Sequence, residues 1–255
     1  MVDIHSHILW GLDDGARDLA ESLAMLELAA ATGTTDIVAT PHADAQFSYA
    51  PRLVAARIAE LSAAGCSAPR VHRGCDFHMS YDNISAALEN PREFTINGLA
   101  YLLVEFADTS IPPFTEEILQ QLLQRDIIPV VTHPERNPVL QESLDRLRAW
   151  IGMGCLMQLT AQSLAGRFGK PARQTAWTML RHGLAHAVAS DAHDLDDRTP
   201  RLDHARDILT EEMGANVASR LLVEIPAAVI TGDTDWLRNA GPARPNKKRW
   251  FLFGR

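Results

Sequence analysis

Val2-Asp3-Ile4-His5-Ser6-His7 opens the chain as a short apolar run carrying two imidazoles two residues apart. In an extended strand, residues i and i+2 point to the same side, so His5 and His7 are able to close on one cation. A lone His-x-His pair is often accidental. Its meaning depends on whether the rest of the chain brings more ligands to the same place.

Working outward, strand-like and helix-like segments alternate. Asp18 with Glu21 three residues on forms a capping box for a stripe of Leu19, Leu23, Leu26 and Ala30, which Gly33 ends. Residues 35–39 read as a second strand, and Pro41 should stop it just before His42. A helix begins near Pro51, carries Val54, Ile58 and Leu61 on one face and ends at Gly65. Residues 70–75 read as a third strand delivering Asp76, and 83–88 as a short helix. The apolar run 99–106 ends on Glu105, and Thr115 caps a helix carrying Ile118, Leu122 and Leu123. Residues 127–132 form a buried strand ending at His133-Pro134-Glu135-Arg136. Leu140, Leu144, Leu147 and Ile151 mark the next helix, 155–159 a sixth strand, 162–170 a loop and 171–182 a helix. Residues 185–190 form a seventh strand delivering Asp191-Ala192-His193, with helical stripes in 202–213 and 215–223 after it.

Alternating βα units imply an α/β fold with a parallel sheet and right-handed crossovers. No break is long enough for a linker, so residues 1–240 read as one domain with a barrel-like sheet, followed by a tail at 241–255. In a parallel barrel, active sites sit at the C-terminal ends of the strands. His5, His7, His42, Asp76, Glu105, His133, Asp191 and His193 are eight such residues from six of the seven strand ends. Singly, each has a bland explanation as a loop residue, ion-pair partner or turn former. Jointly, Glu105 and His133 close strongly apolar runs, where an unpaired polar group is costly to bury, and metal coordination would satisfy both.

The ligand set contains imidazole and carboxylate without thiolate, which suits Mn²⁺, Fe²⁺ or Zn²⁺ in a multinuclear site. Glu105 or Asp191 could bridge two ions. Clustered ions suit phosphate-ester hydrolysis, one generating hydroxide and the others holding phosphate oxygens. Arg136 and Arg198 lie in the loops after His133 and His193, and their forked donors fit phosphate. Cys66, Cys75 and Cys155 lack the Arg six residues on that a thiolate phosphatase needs, and no Gly-x-Ser-x-Gly elbow or Walker loop occurs. Among the remaining histidines, His78 is best placed to line the pocket, sharing a face with Asp76; His72, His182, His186 and His204 read as structural or exposed.

Bulk properties agree. The 255 residues are 46% hydrophobic, with 24 Lys+Arg against 32 Asp+Glu and a formal charge of -8. That balance argues against nucleic-acid binding. Three cysteines with no Cys-x-x-Cys suit a reducing cytoplasm. No apolar run approaches the ~20 residues of a membrane span, and the N-terminus has no signal-peptide pattern. A soluble cytoplasmic protein is expected.

Asp3-Ile4-His5-Ser6-His7, Gly11-Leu12-Asp13-Asp14-Gly15, Val38-Ala39-Thr40-Pro41-His42 and Ala189-Ser190-Asp191-Ala192-His193 together resemble the PHP (polymerase and histidinol phosphatase) superfamily. The branch they are most similar to is the bacterial metal-dependent protein-tyrosine phosphatases of capsule and exopolysaccharide loci. The similarity runs to about Ile230. It implies a distorted (β/α)7 barrel and three divalent ions, usually Mn²⁺. It also implies hydrolysis of phosphotyrosine on a cognate, membrane-associated tyrosine autokinase that controls polysaccharide export. The family's ligand positions fall on the eight residues above, and its phosphate-contacting arginines on Arg136 and Arg198. Asp76 stands where the family carries Glu, one methylene longer.

Three alternatives remain open to the sequence. A sibling phosphatase would act on histidinol phosphate or another small phosphomonoester. An amidohydrolase also opens with His-x-His, but brings a bridging Lys where this chain has Glu105. A metal-stabilised partner-binding domain would lack turnover. In the tail, Lys247-Lys248-Arg249-Trp250-Phe251 combines basic and aromatic residues suited to weak contact with an anionic membrane surface, or forms a frayed end.

Overall fold

A computed structural model describes residues 1–66, 68–107 and 109–239; the 241–255 tail lies outside the described residues. The order runs β1 (Val2–Ser6), α1 (Leu19–Ala31), β2 (Asp36–Ala39), β3 (His42–Ala43), α2 (Pro51–Ala63), β4 (Arg70–Arg73), β5 (Asp76–His78), α3 (Tyr81–Glu89) and β6 (Tyr101–Glu105). It continues with α4 (Thr115–Leu123), β7 (Ile128–Thr132), α5 (Pro138–Gln141), α6 (Leu144–Met153), β8 (Leu156–Thr160), α7 (Ala161–Ala165), α8 (Gly169–Arg181), β9 (Ala187–Ala189), α9 (Asp203–Met213), α10 (Ala215–Ser219) and α11 (Ile225–Thr231).

All strand pairs are parallel, in two sheets ordered β1-β2-β4 and β3-β5-β6-β7-β8-β9. The break between the sheets falls inside two strand paths, β2 to β3 and β4 to β5. Backbone bonds from Thr40 N to Ser6 O (2.8 Å) and from Asp76 N to Pro41 O (3.1 Å) stitch across it. At the other margin, a Ser6–Ala192 bridge and a bond from His7 N to Ala192 O (2.8 Å) tie the end of β1 to the loop after β9. Seven strand paths therefore bring their C-terminal ends to one side.

The core follows the alternation of the strands. Leu102, Val104, Val131, Met157 and Leu159 pack outward beneath the helices, while Val2, Ile4, Leu103, Val130 and Leu156 join Val229 and Ile230 of α11. No helix among the described residues is long and apolar enough to cross a membrane.

Five local expectations need correction. The strand expected at 70–75 stops at Arg73, and Asp76 starts the next short strand. Gly74 packs so close to Val38 and Thr40 that a Cβ would lie 2.8 Å and 3.0 Å from their side chains, which bends the path there. Thr115 does not cap α4: its hydroxyl donates backward to Pro112 O at 2.6 Å, and Phe114 occupies the cap position. The helix expected through Leu140 and Ile151 is two helices, α5 and α6. The loop expected at 162–170 contains α7 and the start of α8. The capping box of α1 is altered: Asp18 accepts from Glu21 N at 2.9 Å, but Glu21 turns back to Arg17 N at 2.7 Å.

Candidate metal centre

Asp3, His5 and His7 leave β1 on one side and are almost wholly buried. The His5 Nδ1–H donates to Gln158 Oε1 at 2.9 Å, which turns Nε2 toward the cluster. That Nε2 lies 3.4 Å from Asp76 Oδ2, 3.4 Å from Asp191 Oδ1 and 3.3 Å from His7 Nε2. His7 Nδ1 is held by Asp13 Oδ2 at 2.6 Å, so its Nε2 faces inward too, 3.5 Å from Asp191 Oδ1. His193 Nδ1 donates to the Asp191 carbonyl at 3.0 Å, freeing its Nε2. In all three imidazoles one nitrogen is tied outward and the other presented inward, the arrangement of metal-binding histidines.

His42 Nδ1 lies 3.4 Å from Asp76 Oδ2 and 3.5 Å from Glu105 Oε2, and His133 Nε2 lies 3.4 Å from Glu105 Oε1. These are longer than hydrogen bonds between the same atoms would be. Asp76 reaches His5 and His42 despite its short side chain, and neither of its oxygens, both buried, has a hydrogen-bond partner. His42 Nδ1 and His193 Nε2 are likewise buried and unpartnered. Buried polar atoms in that state need a partner, and their chemistry, nitrogen and oxygen without sulfur, fits divalent ions of the first transition row.

Ligand atoms within 4.8 Å of one another form three overlapping groups: His7, Asp14, His42 and His193; His5, His7 and Asp76; and His42, Asp76 and Glu105. His133 and Asp191 sit beside these groups, not within them. His78 shares the Asp76 face but joins none of the groups.

Electrostatics separates the histidines. Burial opposes charge on His5, but Asp76 and Asp191 outweigh it and raise its pKa to about 9. His42 is likewise disfavoured by burial and carried to about 11 by Asp76 and Glu105. His193 is pushed down to about 4 by burial and the neighbouring His7, and His133 falls well below its ordinary value through burial and Arg136. Asp191 resists burial because His5, His7 and Arg198 hold it ionised.

Arg136 and Arg198 both bond Asp191 Oδ2, Arg198 at 2.6 Å. The guanidinium groups therefore reach the cluster through this carboxylate, with their remaining donors at its edge. His133 (φ 33°) and Asp191 (φ 55°) are left-handed. Such non-glycine conformations cost energy and re-aim the side chains at these strand ends.

Sequence reasoning passed over Asp13 and Asp14 as site residues. Asp14 Oδ1 lies 3.4 Å from His193 Nε2 and 3.5 Å from His42 Nε2. The adjacent acids between two glycines were the available signal, but their conformation depends on a distant contact. Ala16 N bonds His7 O at 3.1 Å, and a Cβ on Gly15 would lie 2.0 Å from that same oxygen. Gly15→Ala is therefore expected to lift the 11–15 loop off His7. It should lower stability by about 1–3 kcal/mol, as overpacking does, and weaken metal binding through Asp13 and Asp14. Thermal melts with metal titration check this; unchanged metal affinity would count against the loop's role.

Residues 1–231 match the family model described as "Capsular polysaccharide synthesis, CpsB/CapC". The chain is 37% identical over 202 residues to the "Putative tyrosine-protein phosphatase CapC" of Staphylococcus aureus, covering 78% of this chain and 79% of that protein. It is 31% identical over 258 residues to the "Tyrosine-protein phosphatase YwqE" of Bacillus subtilis (strain 168), covering 100% and 99%. Among solved structures it matches a chain from the set of YwqE from Bacillus subtilis and CpsB from Streptococcus pneumoniae, described as unique metal-dependent tyrosine phosphatases. That match has a TM-score of 0.79 and 31% identity, over 97% of this chain and 100% of the other. A mutant organophosphorus hydrolase matches at a TM-score of 0.58 with 15% identity, over 90% of this chain and 92% of that one, a likeness of fold alone.

Proposed function

The chain belongs to the CpsB/CapC capsular polysaccharide synthesis family, and from that membership we propose that it hydrolyses phosphotyrosine in proteins. It is a metal-dependent phosphoric monoester hydrolase that uses no cysteine nucleophile. Its three cysteines are free, and Cys75 and Cys155 are buried with thiols pushed up in pKa by burial. The substrate is a phosphotyrosine protein, namely a membrane-associated tyrosine autokinase of capsule or exopolysaccharide synthesis, met on the cytoplasmic side.

The observation that carries this reading is the set of unpartnered imidazole and carboxylate atoms at the strand ends, beside two arginines joined through Asp191. His5, His7, Asp14, His42, Asp76, Glu105, His133, Asp191 and His193 would hold three divalent ions, Mn²⁺ foremost. Bound ions would supply an activated water at neutral pH and a clamp on phosphate oxygens. Gln158, Asp13 and the Asp191 carbonyl fix which nitrogen each histidine presents. Arg136 and Arg198 offer donors to the phosphoryl oxygens as charge develops. The tyrosine oxygen leaves without strong acid assistance, because a phenol has a pKa of about 10.

Side-by-side kinetics test the substrate. A phosphotyrosine peptide should show a kcat/KM at least about 100-fold above that of histidinol phosphate, because an aryl oxygen leaves more readily than an alkyl one. The reverse ratio would reassign the chain to small phosphomonoesters.

A further inference from the structure

β8 is the strand path that ends without a candidate metal ligand among the described residues. The chain that follows it nevertheless touches both arginine-bearing loops. Gly166 (φ +91°) caps the end of α7, α8 begins at Gly169 (φ +86°), and Gly169 N bonds Gly166 O at 3.0 Å. This tight turn sets Arg167 and Phe168 between two left-handed glycines, Arg167 exposed.

Phe168 is half-buried, and the Arg136 guanidinium carbon lies 4.1 Å from the centre of its ring. Stacking occupies the face of the guanidinium and leaves its edge N–H donors free to point into the site. Arg167 donates to Asp197 Oδ1 at 2.7 Å and to the Asp197 carbonyl at 3.3 Å, and Gln162 donates to that carbonyl at 2.7 Å. Asp197 directly precedes Arg198, whose buried Nε has no hydrogen-bond partner. The loop is also held from within, because Asp194 Oδ1 accepts from the backbone N–H of Asp196, Asp197 and Arg198. Glu135, fully buried next to Arg136, accepts from Thr160 N at 2.9 Å and Ser163 Oγ at 2.7 Å. The loop bearing Arg136 is thus anchored to the same β8–α7 unit.

We propose that the 166–169 turn is the positioning element for the phosphate-binding arginines. Phe168 carries the Arg136 guanidinium on its ring, and Arg167 holds the Arg198 loop through Asp197. The inference rests on the reading of Arg136 and Arg198 as phosphate donors. Phe168 acts through Arg136, so it is a positioning residue. A ring stacked on an arginine restricts the side chain before the anion arrives, so less freedom is lost on binding.

The test is calorimetric titration of inorganic phosphate into metal-loaded protein, with metal content measured on the same samples. Phe168→Leu keeps apolar bulk and removes the ring face. It should weaken phosphate binding about fivefold, the scale of a half-exposed cation–π contact. Phe168→Trp should bind within about twofold of the parent, because the indole restores that face. Arg167→Ala, a change at a half-exposed site, should weaken binding about threefold, the scale of one modest contact. Metal content should stay at the parent value throughout. Parent-like phosphate affinity in both Phe168→Leu and Arg167→Ala, beside a large loss in Arg136→Ala, would overturn the proposal. A Phe168→Trp variant as weak as Phe168→Leu, or loss of metal with the loss of affinity, would overturn it too. Unchanged phosphate affinity in Arg136→Ala would instead remove the phosphate role of Arg136 itself, on which the proposal rests.

Discussion

Asp191→Asn is expected to lower kcat/KM toward a phosphotyrosine peptide by about 1000-fold or more while leaving the fold intact. Asp191 is the joint between the two halves of the site. Its Oδ1 lies between His5 Nε2 and His7 Nε2, at 3.4 Å and 3.5 Å, and its Oδ2 receives Arg136 and Arg198. Asparagine fits the same volume and tolerates the left-handed backbone at φ 55° at least as well as aspartate. Its amide oxygen still accepts a bond, so the arginines are not left wholly unpaired in the interior. What disappears is the negative charge and one acceptor. Asp191 is itself among the residues that would hold the ions, so its loss should cost at least the roughly 10- to 100-fold of a partner that only supports a ligand, and loss of a preorganised transition-state donor costs about 100- to 1000-fold. Asp191→Asn disturbs both functions at once, because the cage and the arginines share this carboxylate. The measurements are steady-state kinetics, metal content and circular dichroism. A folded variant with full metal and activity within tenfold of the parent would mean that Asp191 is structural and that the active centre lies among the other ligands.

How much of this was legible beforehand differs residue by residue. His5 and His7 follow from alternation along one strand, a local rule that the fold leaves intact. Glu105 and His133 follow from polar residues closing apolar runs. The strand order then gathers them, since parallel strands with helical crossovers put every C-terminal end on one side. Asp14 was illegible because its position depends on Gly15 packing against the His7 carbonyl, a contact between segments whose geometry no periodicity encodes. The break before Asp76 depends in the same way on Gly74 wedged against Val38 and Thr40. α7 was hidden because a helix of five residues gives too few turns for a stripe. Loop membership and the family resemblance point to the arginines, but neither encodes that both converge on one oxygen of Asp191, where the residues at both strand ends, His133 and Asp191, are left-handed.

The second large effect is on metal affinity, which should climb steeply with pH between about 6.5 and 9. His5 and His42 hold their protons to about 9 and about 11 because Asp76, Asp191 and Glu105 surround them. A metal ligand must be deprotonated, so loading the site displaces both protons below pH 9. His7, where burial is outweighed by Asp13 and the pKa is also raised, adds to these two, so the overall affinity for the full complement should rise at least about 100-fold per pH unit at the low end and less steeply once His5 has titrated. His133 and His193 are already neutral and add nothing to the slope. The stability of the chelated protein should move the opposite way. A histidine whose folded pKa is raised stabilises the fold below its unfolded value of about 6.5, and that contribution fades as pH rises through about 9 for His5 and about 11 for His42. Chelated protein should therefore lose stability as pH rises from 7 to 9, in the range where metal-loaded protein gains it, so that the two melting curves diverge. Mn²⁺ titrations at pH 6.5, 7.5 and 8.5, each in two buffers of different ionisation enthalpy, count the protons directly. A pH-independent affinity with no proton release would show that His5 and His42 are neutral before the ions arrive, and that the carboxylates around them serve the metals alone.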